Sequence, residues 1–421
     1  MQEQATAMYM EKSPFDARDV AMPENVGCSS ITRRRGSSCG RTTATSRNLD
    51  HARPSAQGCE SEALEDFEEI RDQTAAPSDL GGMKRSFVLF ALVAACSGGD
   101  NESQSPLDPG VDAAVQMPGE DFCNATDPRP VPIAVVATPE AGETPYTSVL
   151  ATAETSIDVA VYLMGYGGIL DLLQDKARAG VKVRVILDEG KKDTNQRYFD
   201  MLVAAGAEVK WSDPKFSYFH AKFFVVDGKT AVMSTGNYSK SYSIVLERNF
   251  VATDTDPADV ADLVTLFEAD WAGQTPAMTC TRMVISPVNA RARILAAIDS
   301  AKETLDIESM QFADWDVRNA VKARVAAGVT VRVLLADANW IDANASAVTF
   351  LKGLAVPVKW IPHLHTKMLV ADGKMAYVGS ENFSQTSLDK NREVGVILVE
   401  SSSIAPLSAT FDKDWAIGTD F

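Results

Sequence analysis

Hydrophobic and polar positions follow the same order in two stretches of the chain. In each stretch a helical pattern precedes an alternating strand, and a second helix ends near an Ala-Gly pair. A mostly apolar strand follows, at 181–187 in the first stretch and at 329–335 in the second. Another helix and a hairpin complete each unit. Strands that alternate with helices in this way predict an α/β fold.

The two stretches are copies of one unit. Thr138-Pro139 corresponds to Ser286-Pro287 and Ala179-Gly180 to Ala327-Gly328, with the same offset of 148 residues in both cases. An internal repeat of this length indicates two homologous domains. We place them at residues 131–278 and 279–421. By analogy with symmetric dimers, a pseudo-twofold arrangement with one shared interface is the simplest packing.

Residues 1–82 lack this pattern. They are rich in Ser, Thr and Arg and have no sustained apolar period, which predicts a disordered segment. The other interpretation is that these residues belong to an over-extended gene prediction. A basic start at Met83, an apolar run that ends at Ala95 and small residues before Cys96 then follow the order of a secretory signal peptide. The sequence before Cys96 resembles the lipobox of bacterial lipoproteins, in which that cysteine is lipidated. A chance apolar stretch inside a loop is the alternative.

We therefore expect translation to start at Met83, residues 83–95 to be the signal peptide and residues 96–130 to be a flexible tether. The protein would then be an exported bacterial lipoprotein, membrane-anchored on the periplasmic or cell-surface side. Cys123 and Cys280 remain in the mature chain. An exported protein favours a disulfide between them, and two free buried thiols are the alternative.

Each half contains the pattern His-x-Lys-x4-Asp, followed by Gly. The residues between Lys and Asp are mostly apolar and predict a strand, on which His and Lys share a face. Asp-Gly favours a tight hairpin turn, and the return strand brings an asparagine back towards the His-Lys end. The motif residues are His220, Lys222 and Asp227 with Asn237 in the first half, and His365, Lys367 and Asp372 with Asn382 in the second.

Two such motifs that face each other suit the cleavage of a phosphodiester. Two lysines and two asparagines can stabilise the phosphate oxygens. One histidine can attack phosphorus while the other protonates the leaving oxygen, so that a phosphohistidine forms and is then hydrolysed. A metal site at His363-Leu364-His365 is the alternative, but no Cys/His cluster accompanies it. We expect no metal and no cofactor. A purely structural alternative would make each motif a surface pair followed by a turn.

The doubled motif resembles the signature of the phospholipase D superfamily, HxKxxxxD with a downstream Gly-Ser-x-Asn and a later acidic residue. The second half carries Gly379-Ser380-Glu381-Asn382 and then Glu393. The first half has Thr235 in place of serine and Asn249 at the acidic position, unless Glu247 substitutes for it. The resemblance covers 131–421 and implies two phospholipase D-like α/β sandwich domains with pseudo-twofold symmetry and one active site at their interface.

The resemblance also implies roles for the site residues. The first-motif histidine, His220, would be the nucleophile, and His365 the acid. We expect Glu393 to contact His365 and favour its protonated form, and Asn249 to leave His220 neutral. The motif aspartates are expected to brace the hairpins although they belong to the catalytic signature. Thr235, Asn237, Ser380 and Asn382 would bind or support the substrate phosphate.

The substrate has to be inferred from the rest of the chain. With 40 basic and 57 acidic residues, the net charge is −17, so no broad cationic field attracts nucleic acid. The expected lipid anchor and the aromatic run at 216–219 favour a phospholipid and hydrolysis of its head group. An endonuclease of the same superfamily is the first alternative, and a catalytically silent lipoprotein that binds phosphorylated ligands is the second. We expect a monomer.

Overall fold

The computed structural model describes residues 126–278 and 281–421. The predictions for residues 1–95, for lipidation of Cys96 and for a Cys123–Cys280 disulfide lie outside this part of the chain and stay predictions. Within it, each half forms one mixed sheet with helices, and both sheets fall within one compact unit.

The first half contains seven strands and four α-helices in its described residues. A short 3₁₀ helix at Glu189–Lys191 and a π-helical turn at Lys240–Ile244 lie in its loops. The elements are β1 (Ala134–Thr138), α1 (Thr144–Ala151), β2 (Ser156–Val161), α2 (Gly168–Arg178), β3 (Lys182–Leu187), α3 (Lys192–Ala204), β4 (Glu208–Trp211), β5 (Lys222–Val226), β6 (Thr230–Ser234), β7 (Asn249–Asp254) and α4 (Pro257–Trp271).

The second half repeats this order and adds a short helix after its hairpin and a short strand at its end. Its elements are β8 (Met283–Ser286), α5 (Ala290–Ser300), β9 (Thr304–Ser309), α6 (Trp315–Ala326), β10 (Thr330–Ala336), α7 (Ala343–Gly353), β11 (Val358–Ile361), β12 (Lys367–Ala371), β13 (Met375–Gly379), α8 (Gln385–Asp389), β14 (Glu393–Leu398), α9 (Ser401–Ile417) and β15 (Thr419–Asp420).

The strand order is the same in both sheets. The first sheet runs β1-β7-β6-β5-β2-β3-β4, and the second runs β8-β14-β13-β12-β9-β10-β11 with β15 at its edge. In each sheet the motif strand, β5 or β12, lies in the middle and pairs antiparallel with β2 or β9. A central strand is held on both sides by backbone hydrogen bonds, which makes it a rigid base for a site.

Three apolar cores explain the layering. One core lies outside the first sheet under α1, α2 and α3, and another lies outside the second sheet under α5, α6 and α7. The third joins the two halves: it combines side chains of both sheets with α4 and α9, and includes Phe223, Phe250, Met368 and Phe411. Because both sides of each sheet are covered, the central strands are buried on both faces, as in the motif strands β5 and β12, where every residue is buried.

The predicted fold class is confirmed. The two apolar strands expected at 181–187 and 329–335 occur at Lys182–Leu187 and Thr330–Ala336, and both hairpins form. The sequence patterns did not indicate the edge strands β1 and β8 or their partners β7 and β14. The limits 131–278 and 279–421 for the two domains stay a prediction. Among the described residues, no helix is long and apolar enough to cross a membrane.

Candidate active site

The two His-Lys motifs meet where the halves join. The segment before β5 forms a parallel bridge with the segment before β14, and the His220 N–H donates to the Arg392 carbonyl at 2.8 Å. The segment before β12 forms the equivalent bridge across the interface, and the His365 N–H donates to the Arg248 carbonyl at 3.2 Å. Each histidine is therefore held by backbone of the other half.

In this arrangement the Nδ1 atom of each histidine contacts a side chain of the other half. His220 Nδ1 lies 2.6 Å from Glu393 Oε2, and His365 Nδ1 lies 2.9 Å from Asn249 Oδ1. The expectation that Glu393 contacts His365 and Asn249 contacts His220 was wrong. The physical reason is the pair of bridges: Glu393 follows Arg392, which pairs beside His220, and Asn249 follows Arg248, which pairs beside His365.

Glu393 is the best-bonded carboxylate of the site. Besides His220, it accepts hydrogen bonds from Ser387 Oγ at 2.5 Å and from Asn391 Nδ2 at 2.9 Å, and it is fully buried. The Tyr162 ring packs edge-on against the His220 imidazole with 4.7 Å between centroids. His220 is thus held in place through Nδ1 and through one edge of its ring.

Asn249 occupies the acidic position next to His365. Its Oδ1 also accepts from Thr235 Oγ1 at 2.8 Å, and its Nδ2 donates to the Ser243 carbonyl at 3.0 Å. Because Oδ1 can only accept, it favours N–H at Nδ1 of His365. Lys367 Nζ lies 3.1 Å from Nδ1 and 3.3 Å from Nε2 of the same ring. Glu247 Oε2 lies 3.7 Å from His365 Nδ1, near enough to stabilise a positive charge without replacing the amide.

Both lysines are buried beside their histidines. Lys222 Nζ donates to the His220 carbonyl at 3.0 Å and lies 5.1 Å from the centroid of the Tyr162 ring. Lys367 Nζ donates to the His365 carbonyl at 2.7 Å and to the Thr235 carbonyl at 3.3 Å. Two buried ammonium groups are costly unless an anion accompanies them. The pair therefore suits a phosphate group.

The hydroxyls at the serine position hold backbone. Thr235 Oγ1 accepts from the Phe250 N–H at 2.9 Å, and Ser380 Oγ accepts from the Val394 N–H at 3.0 Å. They connect the return strand to the strand that carries Asn249 or Glu393, which makes them supporting residues. Asn237 and Asn382 are buried in the segments that follow β6 and β13 and bridge back to the ends of β2 and β9.

The motif aspartates lie at the other end of the motif strands. Asp227 accepts backbone N–H bonds from Glu154, Thr155 and Ser156, and Asp372 accepts them from Lys302, Glu303 and Thr304. Burial opposes ionisation, but these bonds hold the pKa of both carboxyls below the ordinary value. These bonds brace the entry into β2 and β9, whereas bracing of the hairpins was expected. The whole motif strand separates both aspartates from the histidines, which argues against a direct part in catalysis.

Two buried ion pairs fasten the halves around the site. Arg392 binds Asp270 with Nε–Oδ2 at 2.9 Å, and Arg248 binds Asp414 with Nε–Oδ2 at 2.7 Å. Each pair joins one half to the other, and each arginine directly precedes a histidine partner. The ion pairs therefore set the position of Glu393 and Asn249 through the backbone.

The aromatic run at 216–219 does not form a mouth for acyl chains as a unit. Phe219 is buried in the core between the halves, and the Phe216 ring lies under the Arg392 guanidinium at 4.5 Å. Phe216 does line a cavity of about 580 Å³ together with Lys215, Lys390 and Arg392.

Three further residues border the site without a sequence signal that singled them out. They are Tyr162, Glu381 and Asp188, whose Oδ1 accepts from the Phe219 N–H at 2.5 Å. Burial raises the pKa of Asp188 to about 6, against the opposing effects of that hydrogen bond and of nearby His220. A polar residue directly after an apolar strand, as Asp188 follows β3, is the signal that could have found it.

In the described residues, no group of three or more His, Cys, Asp or Glu is placed to hold a metal ion.

A family model described as "Cardiolipin synthase, PLD-like domain" matches residues 146–271 and 294–415. The chain belongs to the phospholipase D superfamily. Both matched ranges contain one His-Lys motif, in agreement with the two homologous halves. The superfamily assignment was predicted from the doubled motif and is confirmed.

Curated relatives in this superfamily are similar over part of their length. The chain is 27% identical over 309 residues to "Probable cardiolipin synthase YwiE" of Bacillus subtilis, which covers 62% of this chain and 61% of that protein. It is 27% identical over 289 residues to the cardiolipin synthase of Halalkalibacterium halodurans, with 58% of each chain covered. The chain thus spans about three fifths of these two relatives.

Solved structures of the superfamily fold are similar at low sequence identity. The phosphatidylserine synthase of Haemophilus influenzae has a TM-score of 0.52 at 13% identity, over 69% of this chain and 87% of that one. A polyphosphate kinase from Porphyromonas gingivalis has a TM-score of 0.53 at 14% identity, over 66% of this chain and 50% of that one. At this identity the likeness establishes the fold alone.

Proposed function

We propose that this phospholipase D superfamily enzyme transfers the phosphatidyl group of a phospholipid, without a metal, through a phosphohistidine on His220. One observation carries the proposal: two buried His-Lys pairs meet in one site, with Glu393 on Nδ1 of His220. Two relatives named cardiolipin synthase support a phospholipid substrate. The net charge of −17 gives no support to a nuclease.

The first half-reaction follows from the geometry of His220. Glu393 accepts a hydrogen bond from the Nδ1–H of neutral His220, so the lone pair on Nε2 attacks phosphorus. The carboxylate stabilises the imidazolium that forms with the N–P bond, as a triad aspartate does for its histidine. The P–O bond to the departing alcohol breaks, and its oxygen takes the Nε2 proton of His365. Lys222 and Lys367 offset the charge on the phosphate oxygens.

The second half-reaction reverses these roles. Neutral His365 accepts the proton of an acceptor hydroxyl, whose oxygen attacks phosphorus and displaces His220 Nε2. With an alcohol as acceptor the result is transfer, and with water it is hydrolysis. The word synthase in the relatives' names favours an alcohol.

The test uses the full chain with chelator, vesicles that contain phosphatidylglycerol, and plasmid DNA in parallel. Formation of cardiolipin with glycerol release is expected. Phosphatidic acid as sole product would mean hydrolysis, and nicked plasmid without lipid turnover would mean a nuclease. His220→Ala should lower kcat by about 10³-fold or more and abolish the acid-labile phosphoenzyme.

His363→Ala is the matched control, because His363 lies two residues before His365 and packs against Tyr242 and Trp340 at centroid distances of 6.1 and 6.3 Å. It should keep most of the activity. No turnover of any substrate by the wild type would favour a silent phosphate-binding protein. A phosphoenzyme on His365 that forms in His220→Ala would reverse the two roles.

A further inference from the structure

A gap in the second sheet is built behind the site. Gly379 on β13 and Gly395 on β14 face each other in register. A Cβ on Gly379 would lie 2.5 Å from the Cα of Gly395 and 2.6 Å from Glu381 Oε2, and a Cβ on Gly395 would lie 2.9 Å from the same oxygen. No side chain fits at either position while the carboxyl of Glu381 is present. The Tyr377 side chain is equally close, with its hydroxyl 2.6 Å from a Cβ on Gly379 and its Cε2 2.6 Å from a Cβ on Gly395. The two glycines thus make room for the Glu381 carboxyl and the Tyr377 ring together.

The Glu381 carboxyl is fully buried in this gap. Its Oε2 accepts from the Tyr377 hydroxyl at 2.6 Å, and the Glu381 N–H in turn donates to the Tyr377 oxygen at 3.2 Å. Within the described residues its Oε1 has no hydrogen-bond partner. A single donor compensates poorly for burying an ionised carboxylate. The group is much better accommodated as a neutral acid.

The gap lies next to the partner of the nucleophile. Glu393 and Gly395 are two residues apart on β14, so they share one face of the strand. Glu393 accepts from His220, Ser387 and Asn391, whereas Glu381 accepts from Tyr377 alone. Two neighbouring buried carboxyls do not both ionise readily, and the better-bonded one keeps the charge.

The charges around Glu381 agree with a neutral Glu381 beside an ionised Glu393. Burial first, and then the negative charge of Glu393, raise the pKa of Glu381 well above its ordinary value. Lys222, on β5 of the other half, acts in the opposite direction, as does the Tyr377 hydrogen bond. Tyr377 on β13, Glu393 on β14 and Lys222 on β5 are thus the titratable groups that face it.

The first half has no such carboxyl. The position equivalent to Glu381 is Gly236, where a Cβ would lie 2.6 Å from the Asn249 amide carbon. The amide that contacts His365 fills this space directly. The two halves therefore differ in where the further buried acid lies: Glu381 fills the gap beside β14, whereas Glu247 lies 3.4 Å from Asn249 Nδ2 in the loop before β7.

We propose that Glu381, as a neutral acid, is a positioning residue that holds Glu393 against His220 without adding its own negative charge beside Glu393. The role rests on the proposed function of His220. A second negative charge would favour the protonated imidazole, which cannot attack phosphorus. Removal of the side chain would leave a hole into which Glu393 can move away from His220.

The test compares three variants of the full chain. Glu381→Gln keeps the volume and the neutral charge, and kcat is expected within about threefold of the wild type. Tyr377→Phe removes the hydroxyl that donates to Glu381, a hydrogen bond that a neutral acid does not require, and kcat is again expected within about threefold of the wild type. Glu381→Ala should lower kcat by about 10- to 100-fold with little change in KM, as the loss of a supporting residue does.

Folding is checked by the melting temperature of each variant, and kcat is compared only between folded proteins. Folded Glu381→Ala with wild-type kcat would refute a positioning role. Glu381→Gln as impaired as Glu381→Ala would refute the neutral form, since it would mean that the negative charge is needed.

The ring ¹⁵N resonances of His220 provide a readout that needs no turnover. A failure of the positioning role of Glu381 can therefore be distinguished from a failure of the proposed function. The titration of His220 should be the same in Glu381→Gln as in the wild type and should differ in Glu381→Ala. Identical titrations in all three proteins would overturn the proposal even if the enzyme proved active.

Discussion

The ion pair between Arg392 and Asp270 is the sharpest place to test how the halves hold the site. Both side chains are 2% exposed, and Asp270 Oδ1 accepts from Arg392 Nε at 3.1 Å and from Nη2 at 3.0 Å. The guanidinium also donates to the Ser286 carbonyl at 2.8 Å and lies over the Phe216 ring. Asp270→Ala removes the only carboxylate with which Arg392 forms an ion pair in the described structure.

The magnitude depends on which member of the pair is removed. Burial raises the pKa of Asp270, and Arg392 opposes this shift. For a buried pair the cost of desolvating both charges offsets most of their attraction. The intact pair thus adds little net stability. Asp270→Ala nevertheless leaves a buried cation, and we expect a loss of about 3–5 kcal/mol in the free energy of unfolding. Arg392→Met should cost less, about 1–3 kcal/mol, because Asp270 can take up a proton.

Urea unfolding of both single variants and the double variant measures the effect. The double variant should cost less than the sum of the single ones by about 1–3 kcal/mol. Asp175→Ala is the matched control, since Asp175 pairs with Arg178 at 3.0 Å on the surface, with side chains 71% and 56% exposed. It should cost less than about 1 kcal/mol. A loss in Asp270→Ala no larger than in this control would refute the reasoning.

Three further substitutions test the site. Glu393→Gln should lower kcat by about 10²- to 10⁴-fold with little effect on KM in initial-rate assays, because the amide cannot stabilise the His220 imidazolium, and a loss under about threefold would contradict this role. Asn249→Asp places a carboxylate on His365 and should move the alkaline limb of the kcat profile to higher pH by about one unit, whereas an unmoved limb would exclude His365 as the acid. Asp227→Asn should leave kcat unchanged and cost about 1 kcal/mol after solvent screening. The pKa of Asp227 is lowered in the folded state, so the stability difference between wild type and variant is present above about pH 4 and is lost as the pH falls below that value. Acid unfolding curves of both proteins measure this difference, and a difference that does not depend on pH would contradict the prediction.

The sequence predicted the parts of the site that follow from spacing along one strand. His220 with Lys222 and His365 with Lys367 could be placed on one face because strand geometry depends only on neighbours in the chain. The repeat predicted that both motifs would meet, because two copies of a unit with one apolar face bury it most simply against each other. The fold class followed from the same pattern.

The partners of the histidines could not be predicted in this way. Local spacing suggested that Glu393 serves the histidine of its own half, His365. The contact depends instead on the parallel bridge between Phe219 and Arg392. His220 and Glu393 are the next residues along the two paired segments, so the bridge brings together two residues that are 173 positions apart in the chain. The gap at Gly379 and Gly395 could not be predicted either, because a glycine in a strand does not indicate which side chain fills the space beside it.

The crossed contacts change how the differences between the two halves should be interpreted. Each histidine takes its hydrogen-bond partner from the other half, so a substitution in one half alters the chemistry of the histidine in the other. Asn249 is a departure within the first half, yet it contacts His365. Glu393 and Glu381 lie in the second half, yet they act on His220. The unequal roles of the two motifs therefore arise from the interface between the halves, and neither half on its own could hold a nucleophile or an acid in this state.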